Sequence, residues 1–413
     1  MPISPPSADG LTAASGSERA PASRARVLVA LLIAAVNLRI AIAVVGPLIE
    51  DIRADLEMSS TLISVLTTIP FACMGVFSFL GPAVIQRFGT RSVLAWALVL
   101  IGGGTLLRAA MPNAWLLIAT TLPIGLGIAL AGVTVPIVIK QYFADRPGVT
   151  TGAYTTAMSV GIMAVGFSAV PIADALGSWR DAFALSALPA LLAVPMWLLA
   201  RVDDHRIPVG GVPVPGAPLP GPQMRLRPTR TGAYLGVLFG LQSLCFAAVV
   251  TWGAAVYEDA GWGRGDAALA ISSLGLLAIV ASLTVPALSD RGERRTWIIA
   301  MTLVMAAGLL GMAIEPGWNG LVWMTLFGFG SGAFLPLCFA LPLDLERDPA
   351  RVGQLTAAML GIGHCLAAAG PIIVGPLRDL SGGFAIGFLL LFSLAIADAV
   401  LALRVPRMAS VKA

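Results

Sequence analysis

Apolar residues in this chain come in long, almost unbroken stretches, not at every second or every third or fourth position. They run over 27–49, 59–82, 92–111, 114–139, 149–172 and 180–200, and again over 231–257, 267–288, 296–314, 319–343, 351–377 and 383–404. Each is about the 20 residues that a helix needs to cross a hydrocarbon core. The pattern lapses over 201–230, which holds seven prolines and no helical period. It therefore predicts an all-α integral membrane protein in which twelve transmembrane helices form two six-helix bundles. The expected divisions are a tail at 1–26, bundles at 27–200 and 231–404, a Pro-rich linker at 201–230 and a tail at 405–413.

Composition supports the same reading. The chain is 57% hydrophobic and 12% charged, against about 25% charged in soluble domains. There is too little polar surface for a water-facing skin, so lipid is the expected outer solvent. Residues 1–26 are rich in Pro, Ser and Ala and lack an apolar core, so a disordered cytoplasmic tail is expected instead of a signal peptide. Cys73, Cys245, Cys338 and Cys365 all lie in apolar runs, which argues for packing residues over a disulfide framework. No metal-ligand spacing occurs, no cofactor is expected, and no basic stripe interleaved with aromatics suggests nucleic acid.

Charge also orients the spans. With the N-terminus inside, the far loops receive only Arg53, Arg108, Arg180, Arg264 and Arg378; Arg39 lies within a span, and the other twenty Lys and Arg are cytoplasmic. Such a bias predicts both termini in the cytoplasm of a cell with the chain in its inner membrane.

The halves echo one another. Pro82 is followed by Gln86-Arg87-Phe88-Gly89-Thr90-Arg91, and Pro286 by Ser289-Asp290-Arg291 with Arg294 and Arg295 beyond, both between the second and third spans of a half. Each proline is expected to end its helix, as are Pro171 and Pro371 in the fifth and eleventh spans. Gly125-Leu126-Gly127 in the fourth span recurs as Gly328-Phe329-Gly330 in the tenth. Parallel halves with such loops resemble the major facilitator transporters, with Gln86 standing where the usual pattern has aspartate. The resemblance implies gating by Gln86, Arg87, Arg91, Asp290 and Arg291, which can latch the inner side; the same residues also serve as positive-inside anchors.

A narrower resemblance, to the cyanate and nitroimidazole transporter family, rests on stretches spread over most of the membrane portion. They are Asn37-Leu38-Arg39 with Val45-Gly46-Pro47-Leu48, Leu66-Thr67-Thr68-Ile69-Pro70, Gly152-Ala153-Tyr154-Thr155 and Ser178-Trp179-Arg180, then Gly240-Leu241-Gln242-Ser243-Leu244, Thr251-Trp252 and Ala369-Gly370-Pro371. Ile40 and His364 depart from it, standing where a proline and an aromatic are expected. It implies transport of a small anion or small polar heterocycle.

Arg39 is the residue with most to say, because a midplane arginine costs about 2.5–3.5 kcal/mol even on insertion scales. A cavity-facing guanidinium without a partner is an anion site, planar and bidentate; the competing reading is a structural ion pair. Partners are few, and Asp398 is expected to pair with Arg404. Asn37, about 200° around the helix from Arg39, serves either substrate or a neighbouring helix. Tyr154 and Met158, one turn apart, and a stripe through Gln242, Phe246, Val249 and Trp252 offer further substrate contacts, or simply packing. His364 reads equally as a packed core residue, a substrate contact or a proton carrier.

Nothing here resembles an enzyme's paired carboxylates or nucleophile with its base. A drug–proton efflux pump would carry membrane carboxylates that attract cations, whereas this chain offers Arg39. The expected function is alternating-access transport of a small anion, cyanate-like or a small carboxylate, by a monomer in the bilayer, with proton coupling left open. Export of a small neutral or weakly acidic toxicant such as a nitroimidazole is the alternative.

Overall fold

The computed structural model describes residues 24–143, 147–200, 202, 229–289, 294–346 and 349–405, and all regular structure among them is helical. The first span is α1 (Arg24–Ala43), a 3-10 turn at Gly46–Leu48 and α2 (Ile49–Leu56). Spans two and three are α3 (Ser60–Phe88) and α4 (Thr90–Ala109). Span four joins α5 (Ala114–Ala119) to α6 (Thr121–Tyr142), and α7 (Pro147–Leu176) and α8 (Trp179–Leu199) complete the half. Spans seven to ten are α9 (Arg230–Asp259), α10 (Arg264–Ser289), α11 (Arg294–Ile314) and α12 (Gly320–Leu345). Span eleven is broken into α13 (Pro349–Ala367) and α14 (Ala369–Ser381), and α15 (Ala385–Ala402) is the twelfth. Twelve stretches are thus long and apolar enough to cross a membrane, the number the hydrophobic pattern predicts. An even number of crossings puts Arg24 and Val405 on one face, here the terminal face, and the odd-numbered spans end on the opposite, far face.

The packing repeats between halves. In the first, span 1 lies on 5, span 2 on 4, and span 3 on 4 and 6; in the second, 7 lies on 11, 8 on 10, and 9 on 10 and 12. The paired glycines noted in the fourth and tenth spans explain part of this. A Cβ on Gly125 would sit 3.0 Å from Pro70 Cα in span 2, and one on Gly127 would sit 2.6 Å from Ala97 O in span 3. In the other half, a Cβ on Gly328 would meet Leu274 O of span 8 at 2.6 Å and one on Gly330 would meet Met301 O of span 9 at 2.5 Å. In each pair the first glycine admits one neighbour and the second another, which is how small residues let membrane helices close up without a hydrophobic drive between them.

Two seams join the bundles: span 5 against span 8, and span 2 against both pieces of span 11. The second seam depends on Pro371. Proline has no N–H to give the carbonyl four residues back, and the helix is interrupted at Ala368. The carbonyls around the break are taken up from span 2: Thr68 Oγ1 donates to Ala368 O at 2.9 Å and Ser64 Oγ to Pro371 O at 2.6 Å. Pro171 and Pro286, expected to end their helices, instead lie inside α7 and α10, and α3 continues past Pro82 to Phe88. The physical reason is that a single missing bond bends a membrane helix, while the surrounding helices still hold it in place. The 201–230 linker lies almost wholly outside the described residues; its end, Thr229, caps α9 by accepting from Gly232 N.

Candidate substrate site

Arg39 leaves α1 only half-buried, at the meeting of both bundles. Its backbone is held close to span 5, because Gly161 lets α7 press against Val36 O and Arg39 Cβ. Its guanidinium carbon lies 4.7 Å from the centroid of the Phe246 ring, which comes from span 7 in the other bundle. Among the described residues no carboxylate pairs with it. A cation on an aromatic face, within about 6 Å, is held by the ring quadrupole, and among the described residues no acceptor takes its N–H donors, which leaves them for another.

Tyr154, 8% exposed, and half-buried His364 both lie within electrostatic reach of the Arg39 guanidinium. Met158, half-buried, lies one turn beyond Tyr154 on α7. The His364 ring stands edge-on to Phe239, 5.4 Å between centroids, and reaches back toward the Leu360 backbone one turn earlier in its own helix. Gln242 is 4% exposed, one turn before Phe246 on α9, and its Oε1 takes the Ser243 hydroxyl at 3.4 Å. Spans 1, 5, 7 and 11 therefore bring Arg39 together with Tyr154, Phe246 and His364; Met158 and Gln242 lie one helical turn from Tyr154 and Phe246.

Asn37 faces away from this group. It is 1% exposed, donates from Nδ2 to Ile33 O of its own helix at 2.7 Å, and leaves Oδ1 sealed without a partner. Trp252 lies about 9 Å further along α9 than Phe246, by helical rise. It is fully buried, with Nε1 3.4 Å from Pro371 O and its ring 5.6 Å from that of Phe384. It packs where span 11 breaks.

Of the expected gating residues, Gln86 and Arg87 are exposed, and Arg87 lies over the neighbouring Phe88 ring at 5.4 Å. Arg91 Nη2 donates to Leu198 O, tying span 3 to span 6 of the same bundle. Asp290 and Arg291 lie outside the described residues.

Two readings need correction. Asp398 is expected from the sequence to pair with Arg404, but it is fully buried and neither carboxylate oxygen has a partner among the described residues. Its neighbourhood includes the thiols of Cys245 and Cys338 and the ring of Tyr234. Arg108 was assigned to a far-face loop, but it lies inside α4 and is 1% exposed. Its Nη2 donates to Thr121 Oγ1 at 2.9 Å, its guanidinium covers the Phe183 ring at 5.6 Å, and Nε and Nη1 are sealed without partners. The signal for Arg108 was the apolar Ala109-Ala110-Met111 that follows it. The missed neighbour of Arg39 was Phe246, visible only as one member of an apolar stripe.

Two symmetric helix bundles around a group of polar side chains drawn from both are the architecture of a membrane carrier. The chain belongs to the Major Facilitator Superfamily, whose family model matches residues 31–345. It is 29% identical over 361 residues to the cyanate transport protein CynX of Escherichia coli (strain K12), covering 87% of this chain and 91% of that protein. It is 28% identical over 369 residues to the 2-nitroimidazole transporter of the same organism, covering 88% and 91%. The crystal structure of a D-xylose-proton symporter has the same fold, with a TM-score of 0.72 at 18% identity over 93% of this chain and 98% of that one. The chain is thus a multi-pass membrane transporter of small molecules and not an enzyme.

Proposed function

We propose that this carrier moves a small anion by alternating access and that Arg39 holds the anionic group. The observation that carries this reading is a half-buried guanidinium in a span, stacked on Phe246 and unaccompanied by any carboxylate among the described residues. An anion fits its bidentate fork and replaces the missing counter-ion. Tyr154, Met158, Gln242 and His364 shape the rest of the site, and His364, the one imidazole among them, is the group through which a proton can accompany the substrate. The excess of Lys and Arg on the terminal face favours a cytoplasmic placement for that face.

A second reading shares the site. The rings of Phe246 and Tyr154 near Arg39, with Phe239 against His364, suit a flat heterocycle, and one relative is a 2-nitroimidazole transporter. A thermal-shift screen of cyanate, nitrate, small carboxylates and azoles against the purified protein separates the readings, since binding raises stability by mass action. Under the first reading anions raise Tm in the wild type and not in Arg39→Ala; Tm shifts from neutral azoles alone would favour the second.

A further inference from the structure

A hollow of about 370 Å³ lies on the far face of the second bundle. Its walls are the ends of spans 7, 9 and 11 and the beginning of span 12, and no residue of the first bundle or of the candidate substrate site lines it. Three of those walls are helix C-termini, since α9 ends at Asp259, α11 at Ile314 and α14 at Ser381. The last carbonyls of a helix find no N–H within it and carry the negative end of its dipole. At α11 the deficit is deeper, because Pro316 has no N–H to return to Met312 O.

Side chains add to the same sign. Asp259 lines the hollow with a carboxylate 42% exposed, and Arg378, which approaches one of its oxygens at 3.6 Å, is shared with Glu50. The Ser381 hydroxyl lies 2.7 Å from Leu377 O and 3.0 Å from Gly383 O, so its proton is engaged and only lone pairs remain. This part of the hollow accepts hydrogen bonds and favours a cation. The remaining wall is opposite in sign. Span 12 begins there with Phe384, Ala385 and Ile386, and no side chain caps α15. Its first N–H groups are therefore donors at the positive end of a helix dipole, a seat for an anion.

The edge of the hollow is apolar. Ile314 and Ile386 are 60% and 54% exposed, and Leu303, Leu389 and Leu390 are exposed further along the same spans. On helices that cross the membrane such side chains meet acyl chains. We propose that the hollow holds the headgroup of a zwitterionic aminophospholipid of the far leaflet. The primary ammonium lies among the C-terminal carbonyls and Asp259, the phosphate lies at the start of α15, and the chains run along spans 9 and 12. A primary ammonium brings three N–H donors to these acceptors, and a quaternary one brings none. The aromatic face that would suit a quaternary group is in use, since Arg378 covers the Phe384 ring at 4.6 Å and Trp252 flanks it at 5.6 Å. A lipid with an anionic headgroup fills the wall at α15 and leaves the other three without a cation.

The lipid site does not depend on Arg39, so it and the anion site fail separately. Its test follows melting of the purified full-length protein in detergent as phosphatidylethanolamine, phosphatidylcholine or phosphatidylglycerol with identical acyl chains is added. Binding to the folded state raises Tm by mass action. In the wild type, phosphatidylethanolamine should raise Tm saturably and at several-fold lower concentration than the other two lipids. That advantage should vanish in Asp259→Asn and in Ala385→Trp, which fills the hollow. Equal effects of the three lipids, or a preference for either of the others, overturn the proposal, as does an advantage that survives in either variant. An equal shift from phosphoethanolamine without chains makes the ligand a soluble one and overturns the lipid assignment. If neither variant folds, hydrogen exchange of the wild type in nanodiscs decides. Protection of peptides covering 255–262, 310–318 and 380–388 by phosphatidylethanolamine over phosphatidylcholine, with α4 and α8 unaltered, supports the site. No difference between the two lipids, or protection spread evenly along the chain, overturns it.

Discussion

Arg39 and Arg108 are both arginines inside spans, both lie over a phenylalanine ring, and neither is paired with a carboxylate among the described residues. What separates them is where the ring comes from and what reaches the nitrogens. Phe183, which Arg108 covers, belongs to the same bundle, and Thr121 of that bundle takes one N–H; the other two nitrogens are closed off. Phe246, which Arg39 covers, belongs to the opposite bundle, and Arg39 remains only half-buried. A charge enclosed within one rigid body is architecture. A charge shared between two bodies that move, and still open to a ligand, is a candidate binding group.

The sharpest way to break that contrast is to remove each guanidinium. Arg39→Ala should lower saturable anion uptake in proteoliposomes by about 10² or more, the loss expected when a buried charge pair loses one partner, with Tm little changed. Arg108→Ala should do the reverse, costing about 2–5 kcal/mol of stability, as for emptying a large buried side chain, while the surviving protein keeps its ligand Kd. Similar phenotypes for the two would erase the distinction.

Keeping the charge but changing its shape is milder. Arg39→Lys should retain uptake at roughly a tenth of the wild-type affinity, because an ammonium lacks the bidentate fork; full activity would mean that only charge is read. Replacing the ring in Phe246→Leu should weaken ligand binding by about 0.5–2 kcal/mol, the range of a cation–π contact, measurable as a rise in Kd without loss of Tm. The smallest effect is expected for Thr121→Val, which should lower stability by about 1 kcal/mol and leave transport unaltered, since its hydroxyl bonds only within the first bundle, to Arg108 and Leu117 O.

Much of this molecule was legible before any coordinates. Long apolar stretches can satisfy their backbone in lipid only as helices, so the twelve spans followed from composition and length. Arg39 stood out because a charge at that depth calls for a reason. Less legible were the facts that depend on which faces meet. Trp252 and Phe246 share a stripe on α9, yet Trp252 packs against Phe384 at the broken span while Phe246 lies beneath Arg39. Asp379 reads as an ordinary loop-side acid, and its partners Ser60 and Thr61 lie more than 300 positions away. Pro171 and Pro286 stay inside their helices because the rule that proline ends a water-soluble helix carries less force where neighbouring helices hold the bend.

The sequence by itself determined the number of spans, their pairing into two halves and the presence of a cation in the membrane, since these depend on transfer of each segment from water to lipid. Only the tertiary structure decided which arginine is enclosed and which is open, where the Asp398 carboxylate lies, and what seals the far face. Those outcomes depend on the rotation of each helix about its axis, which is set by close contacts at residues such as Gly161 and Gly330, and a nearly uniform apolar helix does not record its own rotation.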